Sequence, residues 1–255
     1  MTHPYFAGAR HPRVLAHRGL LPESSADSSL WENTAGAFAA AHAAGVEYIE
    51  TDCRATADGD AVLLHDPTLQ RLAGDERAVA EVRTAELSRM FEDHGGLLTV
   101  ADALDAFPEI RFNIDVKAAE AAEPTGRAVA AHAHRVLITS FSERNRTAAL
   151  ESAAYAGAAL RPATAPGRSA IIRLRLLSGL RLPSARVLKG IDAIQVPERH
   201  AGVQVFTPVL VRAAHRAGVE VHVWTVDDPD AMRGLIDAGA DGIVTNRADL
   251  ALSTI

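Results

Sequence analysis

Very little in this sequence can cross-link it, carry it through a bilayer or draw it to a polyanion. A lone cysteine, Cys53, has no partner for an internal disulfide, so stability must come from the core. No apolar run is long enough to span a bilayer, and Met1 to Ala9 lacks the apolar stretch of a signal peptide. Both absences point to a cytoplasmic protein. The formal charge is −6 with no dominant Lys/Arg run, which disfavours nucleic acid or an anionic membrane as a partner. Aromatic residues make up 5% of the chain, and neither an exposed aromatic cluster nor a basic amphipathic helix is evident to meet lipid. No internal repeat or low-complexity tract is present.

What remains is ordinary globular material, 48% hydrophobic and 23% charged. Short apolar runs alternate with helical stretches throughout, the pattern of a parallel sheet with helical crossovers, and 255 residues suit one (β/α)₈ TIM barrel of roughly 250. Strands are expected at 13–17, 46–52, 61–65, 111–116, 135–140, 157–161, 191–196, 219–225 and 242–246, nine where a barrel needs eight. Because 61–65 follows 46–52 too closely for a helix to intervene, the barrel is expected to be slightly irregular. Thr207-Pro208 and Asp228-Pro229 open helices that close at Gly218 and Gly239, the Pro-first, Gly-last asymmetry; another helix spans 34–44. We expect one domain over 1–255. It carries an insertion at 67–98, after the strand ending at His65, with a short helix near 84–91. LPESSADSSLW, 21–31, reads as a long βα loop.

Alternation along a strand decides which side chains converge. In 46–52, Val46, Tyr48, Glu50 and Asp52 share one face; in 111–117, Asn113, Asp115 and Lys117 do, while Ile114 and Val116 face the helices. Around one barrel mouth, Glu50, Asp52 and Asp115 would be like charges in a confined site, costly unless cations compensate. A metal resolves the conflict, and oxygen donors alone favour Mg²⁺ or Ca²⁺ over Zn²⁺, with Mn²⁺ also compatible. A salt-bridged strand-end lining is the other reading of the same spacing.

Two strands end on histidine, VLAHRG at His17 and AVLLHDP at His65, and either imidazole can serve as a general acid or base. Arg18 offers a fork suited to phosphate, and Lys117 adds positive charge. Asp66 could orient His65 or cap the next turn, with capping the preferred reading, and His222 is read as a satisfied core histidine. Cys53 is read as a buried thiol turned away from the carboxylates, and Trp224 as either core or pocket wall.

The series His17-Arg18-Gly19, Glu32-Asn33-Thr34, Glu50-Thr51-Asp52, Asp58-Gly59, His65-Asp66 and Asn113-Ile114-Asp115-Val116-Lys117, followed by Trp224-Thr225-Val226 and GADGIVTN, resembles the glycerophosphodiester phosphodiesterases from about 14 to 249. The resemblance implies a (β/α)₈ barrel that uses a divalent cation to cleave glycerophosphodiesters to an alcohol and glycerol 3-phosphate. It also implies roles: Glu50, Asp52 and Asp115 as metal ligands, His17 and His65 as the acid–base pair, and Arg18, Lys117 and Asn33 at the phosphate. Glu32 would support the site and Trp224 would wall the glycerol pocket. Two departures stand out. The family generally has Glu where this chain has Asp115, one methylene shorter, and Pro where it has Trp31, beside a loop of Ser24 to Ser29 that would reshape the pocket mouth. The competing expectations are a phosphodiesterase of the lysophospholipase D or phospholipase kind and a non-catalytic barrel that binds a phosphorylated ligand.

Overall fold

The computed structural model describes residues 2–21 and 30–255; the expectations for Ser24 to Ser29 and for most of the loop 21–31 lie outside the described residues. In chain order the strands are β1 Arg13–His17, β2 Tyr48–Ala55, β3 Ala61–Leu63, β4 Arg111–Val116, β5 Val136–Thr139, β6 Ala163–Thr164, β7 Ala193–Pro197, β8 Arg199–His200, β9 Val203–Gln204, β10 Glu220–Trp224 and β11 Gly242–Thr245. Eight of them run parallel in the order β6-β5-β4-β2-β1-β11-β10-β7, a nearly closed barrel with helices between its strands. The seam between β6 and β7 is drawn together by Asp192. Its N–H donates to the Thr164 carbonyl at 3.0 Å, and its carboxylate accepts from the Thr164 N–H at 2.8 Å.

The expected irregularity falls at 61–65, the segment too close behind its neighbour for a helix to intervene. β3 folds back antiparallel on β2, with Cys53 opposite Leu63, and β8 and β9 form a separate hairpin after β7. One expected strand is misplaced: 157–161 is turn and bend, and the strand lies at Ala163–Thr164. Gly157, at φ 87°, ends the preceding helix, and the chain needs the next residues to turn back toward the barrel.

The helices are α1 Ala35–Ala43, α2 Gln70–Ala73, α3 Thr84–Phe91, α4 Val100–Ala106, α5 Ala122–Val129, α6 Glu143–Tyr155, α7 Arg168–Gly179, α8 Pro208–Arg216, α9 Pro229–Asp237 and α10 Ala248–Thr254. Caps behave as the sequence suggests: Thr34, Thr207 and Asp228 each accept from a backbone N–H in the first turn, with proline opening α8 and α9. Segment 67–98 contains α2 and α3 and has its own small core, in which Val62, Leu64, Leu69, Leu87 and Phe91 are buried and Trp31 packs alongside. Trp31 stacks on His94 at 3.8 Å between ring centroids. It therefore braces this segment.

Between barrel and helices lies the main core, which includes Ile49, Cys53, Ile114 and Val116, the outward faces that strand alternation assigned. The barrel interior is filled at its lower end by Tyr5 and Phe6, packed against Leu15, Tyr48, Leu137 and Val244. Arg13 and Glu220 form a two-pronged ion pair there, both contacts 2.7 Å. The fully buried His222 places Nε2 3.1 Å from the same glutamate, the core position expected of it, but its Nδ1 has no hydrogen-bond partner among the described residues, so only one ring nitrogen is satisfied.

Candidate active site at the barrel mouth

Register brings the expected residues level. His17 on β1 pairs with Glu50 on β2, Glu50 with Asn113 and Asp52 with Asp115 on β4, so acids and imidazole meet at adjacent strand ends. Lys117 follows β4 directly and places its Nζ 2.9 Å from Asp52 and 2.6 Å from Asp115. Arg18 Nε lies 2.9 Å from Asp52, and its Nη1 donates to Glu32 at 2.9 Å. Asp52 thus sits between two cations.

The turn that aims His17 and Arg18 is tight. Arg18 is left-handed at φ 61° and Gly19 at φ 93°, and a Cβ on Gly19 would fall 2.8 Å from backbone atoms of Ala37 on α1. Only glycine lets helix and turn approach this closely. Gly19→Ala is expected to cost at least about 2 kcal/mol, from the strained φ and the overlap together, and urea unfolding measures it.

The carboxylates respond unequally to their surroundings. Burial pushes Glu50 well above the usual carboxylate range, and the charges of Asp52 and Asp115 push it further. Burial acts the same way on Asp52, yet Lys117 and Arg18 outweigh it and hold that group low. Asp115 is raised, again chiefly by burial, although Lys117 opposes the shift. Lys117 itself is raised: burial works against its charge, but the two aspartates prevail. Asp52 is therefore the carboxylate whose charge is compensated, whereas the ionised forms of Glu50 and Asp115 lack compensation and hold a proton more readily.

That imbalance suits a divalent cation. Glu50 Oε2 and Asp115 Oδ1 are buried oxygens with no hydrogen-bond partner among the described residues, and Asp52 Oδ2 meets only the Arg18 guanidinium; all are hard donors. No three His, Cys, Asp or Glu groups converge on one point among the described residues, with the Lys117 ammonium standing between Asp52 and Asp115.

Both histidines are oriented through Nδ1. His17 Nδ1 is 2.7 Å from Asn246 Oδ1, and Asn246 in turn donates to Asp227 through its Nδ2 and its backbone N–H, each at 2.8 Å. A carboxylate only accepts, so it fixes the Asn246 amide with oxygen toward His17. His17 consequently carries its proton on Nδ1 and leaves Nε2 bare, 3.8 Å from Glu50. Burial and the adjacent Arg18 hold the imidazole below its usual range. His65 Nδ1 lies 2.7 Å from Asp66, and Asp66 is held by Arg71 at 2.5 Å, which also reaches Glu32 at 2.5 Å. Of the two readings of Asp66, the structure favours orienting His65 over the preferred capping role, with its carboxylate on His65 Nδ1.

Asn246, Asp227 and Arg71 carry parts of the site that were not singled out from sequence. Asn246 had a usable signal, since it stands two residues beyond the inward-facing Val244 in VTN. Asn33, expected at the phosphate, is at φ 59° and accepts from Thr51 Oγ1 at 2.8 Å, on the face of β2 opposite Glu50 and Asp52; its backbone N–H holds the Arg18 carbonyl at 2.9 Å. Trp224 is half-buried beside Phe141, with centroids 6.0 Å apart, and the Phe141 ring lies 5.3 Å from Lys117 Nζ. Cys53 is buried against Thr125 and pushed up to about 12 by that burial, so it remains a thiol.

The model of the glycerophosphoryl diester phosphodiesterase family matches residues 17–250. The chain belongs to this family. It is thus a phosphoric diester hydrolase of the glycerophosphodiester class. A Mycobacterium tuberculosis protein named "Probable glycerophosphodiester phosphodiesterase 2" is 43% identical over 246 residues, covering 93% of this chain and 88% of its own. Among solved structures, the glycerophosphodiester phosphodiesterase of Thermotoga maritima superposes with a TM-score of 0.69 at 23% identity, covering 96% of this chain and 99% of its own. An Oleispira antarctica phosphodiesterase in complex with sn-glycerol-3-phosphate does so at 0.69 and 19% identity, covering 96% of each. These two likenesses establish the shared fold. Among the described residues no helix is long and apolar enough to cross a membrane.

Proposed function

We propose that the barrel mouth hydrolyses glycerophosphodiesters to an alcohol and glycerol 3-phosphate. His17 and His65 are its acid–base pair, and Glu50, Asp52 and Asp115 would hold a divalent cation, Mg²⁺ or Ca²⁺. One observation carries this reading: two imidazoles, each anchored at Nδ1, border the same carboxylates, His17 at 3.8 Å from Glu50 and His65 through Asp66, Arg71, Glu32 and Arg18 to Asp52.

Their anchors divide the labour. His17 faces a neutral amide and is held below its usual range, so it starts neutral with a bare Nε2 and takes the proton of the attacking hydroxyl. His65 has a carboxylate, Asp66, as countercharge for an imidazolium, and delivers its proton to the departing alkoxide. Arg18 and Lys117 present cationic donors to the phosphate oxygens. When bound, the cation supplies Lewis-acid stabilisation of charge on a non-bridging phosphate oxygen. Glu32 supports the site by steering Arg18, and Asn33 supports the turn beneath it. Trp224, with Phe141 at its edge, walls the carbon side of the glycerol.

The test uses chelator-stripped protein, the glycerophosphodiesters of choline, ethanolamine and inositol, and Mg²⁺, Ca²⁺ or Mn²⁺ added back singly. Metal-dependent release of glycerol 3-phosphate is expected; no cleavage with any metal would leave only a phosphate-binding barrel. For Asp115, shorter by a methylene than the glutamate usual in the family, Asp115→Asn should raise the metal concentration at half-maximal activity by about tenfold or more. The precedent is a weakened metal site, where losing even a supporting hydrogen bond costs about 10–100-fold. An unchanged titration would remove Asp115 from the ligand set.

A further inference from the structure

The sequence from Ser152 to Ile191 contains no aspartate or glutamate, yet seven arginines and lysines fall within it, in a chain whose net charge is −6. Most of that stretch is α7 and the segment after it. Arg161 is paired with Asp192, but Arg168, Arg173, Arg175, Arg181, Arg186 and Lys189 have no carboxylate partner among the described residues. Local charge of this density is not visible as a run, because leucines and small residues separate the cations.

The same segment exposes its large apolar side chains. Ile172, Leu176 and Leu180 are 50%, 61% and 70% exposed, and their spacing of four places them on one stripe of the helix. Leu182 extends the stripe at 49%. Leu174 and Ser178, on the other side, are buried against the barrel. Helical geometry sets Arg173 on one flank of the stripe and Arg168 and Arg175 on the other. The β8–β9 hairpin at the mouth joins this surface, since Arg175 Nε donates to the Gln204 carbonyl at 3.2 Å and Val203 is 60% exposed.

We infer that this face docks on an anionic phospholipid bilayer, lying in its interface with the leucine stripe in the acyl boundary and the arginines at the lipid phosphates. An apolar stripe between two cationic flanks is the chemistry of an interfacial helix. A soluble acidic partner would leave the leucines uncovered, and a two-fold dimer through this face would set cations against cations. The face starts beside the barrel mouth, so docking holds the mouth near the membrane surface. The sequence suggested no such helix; its exposed side became evident only when packing showed which residues the barrel covers. The inference is independent of the reaction assigned above.

The experiment is vesicle co-sedimentation of the full chain, comparing phosphatidylcholine alone with phosphatidylcholine–phosphatidylglycerol mixtures at low and high salt. Binding to the mixture at least about tenfold above the neutral vesicles, released by high salt, is expected, since each cation near an anionic surface strengthens partitioning by roughly fivefold. The Arg173→Glu/Arg181→Glu and Ile172→Ser/Leu176→Ser variants should each lose about tenfold of it or more, while circular dichroism and cleavage of a soluble glycerophosphodiester stay unchanged. Should a variant misfold, the lipid and salt dependence of the parent and the milder Arg173→Gln/Arg181→Gln variant decide the matter. Equal or absent binding to both vesicle types would overturn the inference, as would variants that bind like the parent. Light scattering that shows a dimer dissolved by these substitutions would overturn it in favour of a second copy of the chain.

Discussion

His17→Ala and His65→Ala are each expected to lower turnover of a natural glycerophosphodiester by about 10²–10⁴ while leaving the chain folded. Neither imidazole bears on the core: His17 is tied to Asn246 and His65 to Asp66, both at the mouth. The two losses should diverge when the leaving group changes. A glycerophosphodiester of p-nitrophenol expels a stable phenolate that needs little protonation, so the variant lacking the acid should recover most of its rate there. The variant lacking the base should not. The neutral partner of His17 and the carboxylate partner of His65 assign the recovery to His65→Ala. Recovery by His17→Ala instead would reverse the two roles, and near-normal turnover of the natural diester in either variant would remove the two-histidine scheme. Asp66→Asn should fall between parent and His65→Ala, because the amide keeps the orientation but offers no charge to the imidazolium.

What could be read in advance follows from the range over which each signal acts. Strand alternation is local, and it placed Glu50, Asp52, Asp115 and Lys117 on one face and Ile114, Val116 and Cys53 on the other, as the structure has them. Caps are local too, so α8 and α9 start where Thr207-Pro208 and Asp228-Pro229 indicated. The missed features depend on which distant segments meet. Asn246 reaches His17 only because β11 lies beside β1, and Arg71 reaches both Glu32 and Asp66 only because α2 folds back toward the loop that carries Glu32. The strand at Ala163–Thr164 is two residues long and too short to show a period. Its position is set by the seam with Asp192. The plug of Tyr5 and Phe6 belongs to the same class, since nothing in a short N-terminal segment announces the barrel floor it fills.

That floor carries the largest expected effect on stability. Arg13 is 5% exposed and grips Glu220 through two contacts of 2.7 Å. Its third nitrogen donates to Tyr48 Oη at 3.0 Å, whose hydroxyl donates to the Tyr5 carbonyl at 3.0 Å, and Phe6 lies under the guanidinium at 4.9 Å. Arg13 therefore joins β1, β2, β10 and the N-terminal plug. Arg13→Ala or Glu220→Ala leaves its partner charged and buried, which costs about 3–5 kcal/mol, or roughly 10 °C in Tm for a chain of this length. The acid dependence gives an independent reading. Burial alone would raise Glu220, but Arg13 and His222 overcome it and bring the group to about 2 from 4.5. A folded-state value below the unfolded one means the contribution is present in full above about pH 4.5 and is lost as pH falls toward 2, amounting to about 3 kcal/mol. In the parent, stability should decline across that window, and in Glu220→Gln the decline should be shallower. The Arg13→Met/Glu220→Leu double variant should recover most of either single loss, because hydrophobic side chains of similar volume can replace a buried pair without leaving a charge behind. A single-variant loss below about 1 kcal/mol, within the range of ordinary surface pairs, would mean that apolar packing of Tyr5 and Phe6 holds the floor and the ion pair merely accompanies it.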